Sequence, residues 1–397
     1  MIALKTHGKK IIDIDETSID KILNVYSDES LGYRSVFVNA RNTGELSIAD
    51  LKAECDKILM PWQLFFLDPT RLDNVIKNIA DKRASKFDNK LIASRDNEGH
   101  GISLRIADKV IGFQEFALSG ITLQNSFCGS LKNSKRDEWA QKIIEHFEIE
   151  STILSSGKKE KTLGKLIELV EAKNIRVARG VLANKLLPAE NTIRSTYRKS
   201  SGFAVRDDKL PYIFLPSEIN DNETFGRQIL TLVVLLVLIG LDDYSMYVTG
   251  NLELYIKSKK SLQQAFGVAN EILLPFSETD KYKNTKITET IRDSLADRFM
   301  LTPSAVVVTL RQRGLIDSDN DQRALFDSII PKKADPKHHP RSPKIDTSVR
   351  KLCGSATTND VVWALRTDNL KSIPAQYLIF GCVDKLKFAK FKANVGL

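Results

Sequence analysis

Residues 229–240, ILTLVVLLVLIG, form an almost unbroken apolar run. A bilayer span needs about 20 such residues, so this segment is too short to cross a membrane. A helix built from it is apolar on nearly every side, and such a helix is buried all round. Other elements must therefore surround it. The chain has 397 residues, enough for two or three domains and a large core. Its 42% hydrophobic and 27% charged residues exclude wholesale disorder.

The apolar run sits late in an ordered series of patterns. Ser47 caps a helix, with Asp50 three residues on as its partner. Leu51, Cys55 and Ile58 then share one face, and Pro61 ends the helix. The polar stretch at residues 85–101 reads as a gap, and residues 104–118 read as an amphipathic helix carrying Ile106, Val110 and Phe113. Residues 155–165 read as a basic hinge. Three short apolar segments follow, around Val177, Ala204 and Ile213, and these read as strands. Helices are predicted at residues 223–240, 262–274, 287–299 and 304–313, the last with Thr302-Pro303 at its start and Gly314 at its end. Residues 331–348 are rich in proline and basic residues and read as a flexible connection.

In order and spacing these segments resemble the long form of the ImmA/IrrE metallopeptidase family. The residues that carry the resemblance are Gly202-Phe203-Ala204, Leu210 to Leu215, Arg227-Gln228 with Leu230-Thr231-Leu232, Glu271 to Pro275, and Thr302 to Leu310. The resemblance implies an α+β fold, mainly helical, with a small zincin-like sheet-plus-helices core and helical N- and C-terminal regions. The division it suggests is a degenerate helix-turn-helix-like region at 1–75, a helical connection at 76–155, a pseudopeptidase domain at 156–325, a Pro/basic linker at 326–348 and a helical region at 349–397.

The family's active site is a HExxH helix. Two histidines at i and i+4 hold zinc, and the glutamate between them is the general base. In the register the resemblance sets, the histidines fall at Val234 and Leu238, the base at Leu235 and a third ligand at Gln264. Aliphatic side chains offer no lone pair, and a catalytic zinc needs three protein ligands. The five histidines, His7, His100, His146, His338 and His339, show no pair at metal-binding helical spacing. The expectation is a pseudoenzyme without metal or other cofactor. Burying Val234, Leu235 and Leu238 is expected to contribute roughly 1.5–3 kcal/mol each.

What remains is binding. The resemblance implies a cytoplasmic regulator whose partner is a protein encoded nearby: a toxin, a repressor or a phage-defence component. The alternative is a DNA-binding regulator. The net charge of +9 fits nucleic acid or an acidic protein equally. Arg34, Asn39, Arg41 and Asn42 are candidate base contacts, because Arg and Asn suit bidentate hydrogen bonding to bases. Against this, residues 33–39 are β-branched and aromatic and read better as a strand than as a recognition helix. Lys332, Lys333 and Arg341 form one basic stretch. Lys385, Lys387, Lys390 and Lys392 form another, interleaved with Phe388 and Phe391. No P-loop and no GxSxG motif is present. The four cysteines, Cys55, Cys128, Cys353 and Cys382, make no CxxC pair and indicate a reduced compartment. Lys5, Lys9 and Lys10 precede no apolar leader, so no signal peptide is expected.

Overall fold

The computed structural model describes residues 1–26, 35–57, 61–87, 90–94, 104–154, 157–180, 202–216, 224–244, 246–248, 254–256, 260–329, 344–380 and 384–397. The fold is α+β and mainly helical, with two sheets among the described residues. None of the described helices is long and apolar enough to cross a membrane.

The first sheet belongs to an N-terminal unit with its own core. Strand β1 (Ile2–Thr6) pairs antiparallel with β2 (Lys9–Ile14) and parallel with β3 (Glu45–Ser47). His7 and Gly8 make the hairpin turn, and both have positive φ, as a two-residue primed turn requires. Ile2 and Leu4 alternate inward and are fully buried. Helices Glu16–Tyr26, Ser35–Thr43, Ile48–Lys57 and Pro69–Phe87 complete the unit. Ser47 caps the third as expected: its hydroxyl accepts from the Asp50 amide at 3.0 Å and donates to the Asp50 carboxylate at 2.7 Å. The N-terminal unit thus holds a hairpin and a third strand beside its helices. The strand expected at residues 33–39 is corrected, because the described part lies in the Ser35–Thr43 helix. Phe37 and Ala40, one turn apart, are buried there, and Phe37 stacks on Phe65 with centroids 6.0 Å apart.

The second sheet organises the rest. Its strands are β4 (Leu91–Ser94), β5 (Arg176–Gly180), β6 (Phe203–Val205), β7 (Tyr212–Pro216), β8 (Met246–Val248) and β9 (Leu254–Ile256), in the order β5-β7-β6-β4-β8-β9. Only β5 and β7 run parallel; the other pairs are antiparallel. The polar gap expected at residues 85–101 thus contains an interior strand, and residues 76–155 are not a purely helical connection. The basic hinge is corrected as well, since residues from Lys159 onward lie in the Lys159–Ala172 helix.

Side chains of this sheet alternate strictly between two cores. Ala93, Val177, Ala204, Ile213 and Leu215 face a core built around the Phe225–Leu241 helix. Ile92, Ala178, Phe203, Val205, Tyr212 and Phe214 face the other way, toward helices Leu104–Leu118, Ile345–Cys353, Ser355–Arg366, Ser372–Phe380 and Lys385–Asn394. The sheet is the middle of three layers, and the C-terminal helices cover one of its faces. The proline-rich connection lies outside the described residues over 330–343, and Lys332, Lys333, His338, His339 and Arg341 lie there with it.

Candidate functional site

The Phe225–Leu241 helix starts at Thr224, whose hydroxyl accepts from the Arg227 amide. It ends at Asp242, which takes a left-handed conformation and returns its amide to Ile239 while Asp243 returns to Leu238. The Asp242 carboxylate accepts two hydrogen bonds from Arg206, at 2.7 and 3.1 Å, and one from Lys132 at 2.6 Å. Burial pushes its carboxyl up, but these hydrogen bonds outweigh burial and hold it below the usual range. The Asp242-Asp243 pair is thus a helix stop anchored to two neighbouring segments.

Between those caps the helix is buried on every side. Val234 and Leu235 are 0% exposed and Leu238 is 3% exposed, and all three sit in one packed core with the apolar residues around them. Helix Lys260–Leu273 lies against it through Ala265, Val268, Ala269 and Ile272. Helix Lys159–Ala172 adds Leu163, Leu166 and Val170. At Gly240 the chain comes so close to the turn at residues 127–131 that an added Cβ would stand 2.7 Å from Leu131. The Leu131 amide donates to the Gly240 carbonyl at 2.9 Å. These contacts surround the helix with buried apolar side chains.

Gln264 does not join this group. Its side chain is exposed on the outer side of its helix, while Ala265 beside it is buried. The register that placed a third ligand at Gln264 is therefore not met, because the helix turns Ala265 and Val268 inward instead. Among the described residues, no set of three His, Cys, Asp or Glu side chains is placed to hold a metal ion. His146 is half-buried against Phe127 and Phe147, and burial holds its imidazole below the usual range.

The candidate DNA contacts of the N-terminal unit separate. Arg34 lies outside the described residues. Arg41 is half-buried and paired with Asp20, tying two helices together. Asn39 and Asn42, three apart, are both exposed. In the C-terminal layer Phe388 and Phe391 are buried in the core, so they do not interleave with the lysines at the surface.

A second polar constellation, unexpected from the sequence, joins the sheet to the C-terminal helices. The Tyr212 hydroxyl donates to the Cys353 carbonyl and lies 3.0 Å from the Thr357 hydroxyl. Arg176 donates to Asp360 at 2.9 Å. The Glu171 carboxyl accepts from the Ala356 amide at 3.3 Å, at the start of the Ser355–Arg366 helix. Burial raises Glu171 to about 7, against the backbone hydrogen bonds of Ala356 and Val177. Burial likewise pushes the Cys353 thiol up to about 11, so it stays protonated and unreactive at neutral pH. These groups hold two layers in register.

Comparison with protein-family models, with curated proteins and with solved structures finds no match to this chain.

Proposed function

We propose that the chain is a catalytically inactive regulator of the ImmA/IrrE type, with a zincin-like sheet-plus-helices core, that acts by binding a protein partner. The observation supporting this is the packing of Val234, Leu235 and Leu238. They occupy the positions where the resemblance puts two zinc ligands and a base, and they are core residues in contact with apolar neighbours. A merely broken site would keep a polar cleft with a single missing ligand. Here three aliphatic side chains fill the space, so metal chemistry at this helix would need the core to be rebuilt. With catalysis gone, the surfaces of the three layers remain for recognition. The partner is a protein encoded nearby, of the toxin, repressor or defence class. DNA reading by the N-terminal unit is the weaker alternative: with Arg41 engaged by Asp20, only Asn39 and Asn42 remain exposed among the described candidates.

The test is co-expression of the full chain with the product of its neighbouring gene, followed by metal analysis of the purified complex. The expected result is a stoichiometric complex that is free of zinc and indifferent to chelator. One equivalent of zinc, or cleavage of the partner that a chelator stops, would overturn the proposal.

A further inference from the structure

The C-terminal layer differs from the rest of the molecule in two respects. Four of the large hydrophobic side chains most open to solvent, Trp363, Ile373, Tyr377 and Leu386, belong to its helices. Residues 344–397 also carry nine Lys and Arg against four Asp and Glu, an excess of five within a chain whose total is +9.

Trp363 is the sharpest case. The Ser355–Arg366 helix buries Thr357, Thr358, Val361 and Val362 against the sheet, and this turns Trp363 outward, where it is 62% exposed. Asn359 and Arg366 are also exposed, one turn before and one turn after it. Two guanidinium groups joined to this helix are held by neutral acceptors. Arg350 donates to the Asn359 side-chain oxygen at 2.8 Å, and Arg366 donates to the Val395 carbonyl at 3.1 Å. Several other arginines sit on carboxylates: Arg176 on Asp360, Arg206 on Asp242, Arg298 on Glu278, Arg311 on Asp319. An amide or a carbonyl orients a guanidinium but does not neutralise it. Asn359, which holds Arg350, and Arg366 thus lie one turn (~5 Å) before and after Trp363 along the same helix. The Arg366–Val395 contact also brings the lysine-bearing Lys385–Asn394 helix alongside.

We propose that this face binds single-stranded nucleic acid, with a base stacked on Trp363 and the flanking phosphates held by Arg350 and Arg366. The charge complementarity is with phosphodiesters, and the exposed ring supplies the second contact such a strand needs, an aromatic surface for an unpaired base. A duplex keeps its base faces closed and offers the indole nothing to stack on. The inference goes beyond partner binding and does not depend on it, because the purified chain alone is the reagent.

The experiment is fluorescence anisotropy with labelled oligothymidylate and oligouridylate of about twelve nucleotides, and with a duplex of the same length, over a salt series. The full-length protein should bind the single strands and prefer them to the duplex, with affinity falling steeply as salt rises. A stronger grip on the uridylate would identify RNA as the target, and on the thymidylate, DNA. Trp363→Ala should weaken binding about tenfold, and Trp363→Phe should restore most of it. Arg350→Gln with Arg366→Gln should lower the slope of log affinity against log salt by about 1.4, two phosphates at ~0.7 each. Trp363 and Arg366 are exposed and Arg350 is half-buried, and circular dichroism will verify that the variants keep their helix content. The proposal is overturned by no binding at about 50 mM salt, by equal affinity for the duplex, or by affinity that the Trp363 and arginine variants leave unchanged. It is equally overturned if polyglutamate competes as well as the oligonucleotides, which would make the face a site for acidic protein.

Discussion

On one face of the six-stranded sheet, Ala93, Ala204, Ile213 and Leu215 meet a helix whose side chains are aliphatic almost without interruption. On the other, Tyr212 reaches Cys353 and Thr357, Arg176 reaches Asp360, and Glu171 reaches the amide of Ala356. The same strands serve both faces, residue by residue, while Glu171 reaches across from the end of the Lys159–Ala172 helix. The first face is held by apolar area, which has no direction and tolerates any side chain of the right volume. The second is held in part by hydrogen bonds, whose partners must arrive in one geometry or leave a buried polar group unmatched. Changes of charge should therefore destroy the first face, while changes of shape or protonation should loosen the second.

The largest effect is expected at Leu235. Leu235→Asp puts a carboxylate into a site with no exposed surface inside the apolar core. The cost should exceed about 4 kcal/mol, enough to unfold a marginally stable domain. Leu235→Met, with nearly the same volume, should cost less than about 1.5 kcal/mol. Urea denaturation followed by circular dichroism measures both. If Leu235→Asp folds with ordinary stability, the helix is not the sealed core described, and the contrast between the faces fails at its strongest point.

Gly354 tests the second face by shape alone. Its φ is +80° with ψ near 154°, a region that side-chain-bearing residues avoid. An added Cβ would stand 2.6 Å from both the Glu171 carboxyl and the Val177 carbonyl. Gly354→Ala should cost about 2–4 kcal/mol. The loss should be local: amide exchange should quicken in helices Ile345–Cys353 and Ser355–Arg366 and stay slow in Phe225–Leu241. Uniform loss of protection through all three layers would show that the faces do not behave separately.

The same contrast governs what could be read from the sequence. The central helix is legible because its pattern is extreme, and the start of the Pro303–Gln312 helix is legible from local residue chemistry. The Thr302 cap accepts from the Ala305 amide at 3.1 Å as its Thr-Pro start implies. Strands β5, β6 and β7 stood out as apolar segments between turns. Strand β4 did not, because only four residues carry it inside a polar stretch, and its burial comes from strands distant in sequence. The N-terminal hairpin has a local signal in His7-Gly8, but Lys5, Lys9 and Lys10 around it mask the short alternation of Ile2 and Leu4. Gln264 shows the limit of carrying a register across a resemblance, since a shift of one residue exchanges a facing side chain for an exposed one. Neither the junction around Glu171 nor the face around Trp363 could be found by spacing. Glu171, Tyr212 and Ala356 meet only once the layers are stacked, although the outward position of Trp363 could have been inferred from the stripe of buried Thr358 and Val361 with half-buried Leu365.

Protonation offers a sharper division. Burial raises the Glu171 carboxyl from 4.5 to about 7. A carboxyl whose folded value lies above its unfolded one contributes stability that is full below about pH 4.5 and is lost as pH rises through about 7. The difference between the plateaus is up to about 3 kcal/mol. Asp360, also raised by burial, acts in the same direction. Glu171→Gln, neutral at every pH and still able to accept from Ala356, should be more stable than the parent at pH 8 and close to it at pH 4. Denaturation midpoints at the two pH values measure this. A parent and variant that lose stability in parallel between pH 4 and 8 would remove Glu171 from the explanation.

The smallest expected effect separates direction from area at a single side chain. Tyr212 presents its ring to Phe113, with centroids 6.3 Å apart, and its hydroxyl to Cys353 and Thr357. Tyr212→Phe keeps the ring and removes only the hydroxyl. The Cys353 carbonyl, at the end of its helix, then loses a buried donor. A net hydrogen bond is worth about 1 kcal/mol, and a buried acceptor left unmatched costs somewhat more, so the loss should be about 1–2 kcal/mol. The denaturation slope should stay unchanged, because the buried apolar area is the same. If the loss is near zero, the hydroxyl contributes no net stability, and the C-terminal helices rest on the sheet by apolar contact alone, as the central helix does on the opposite face.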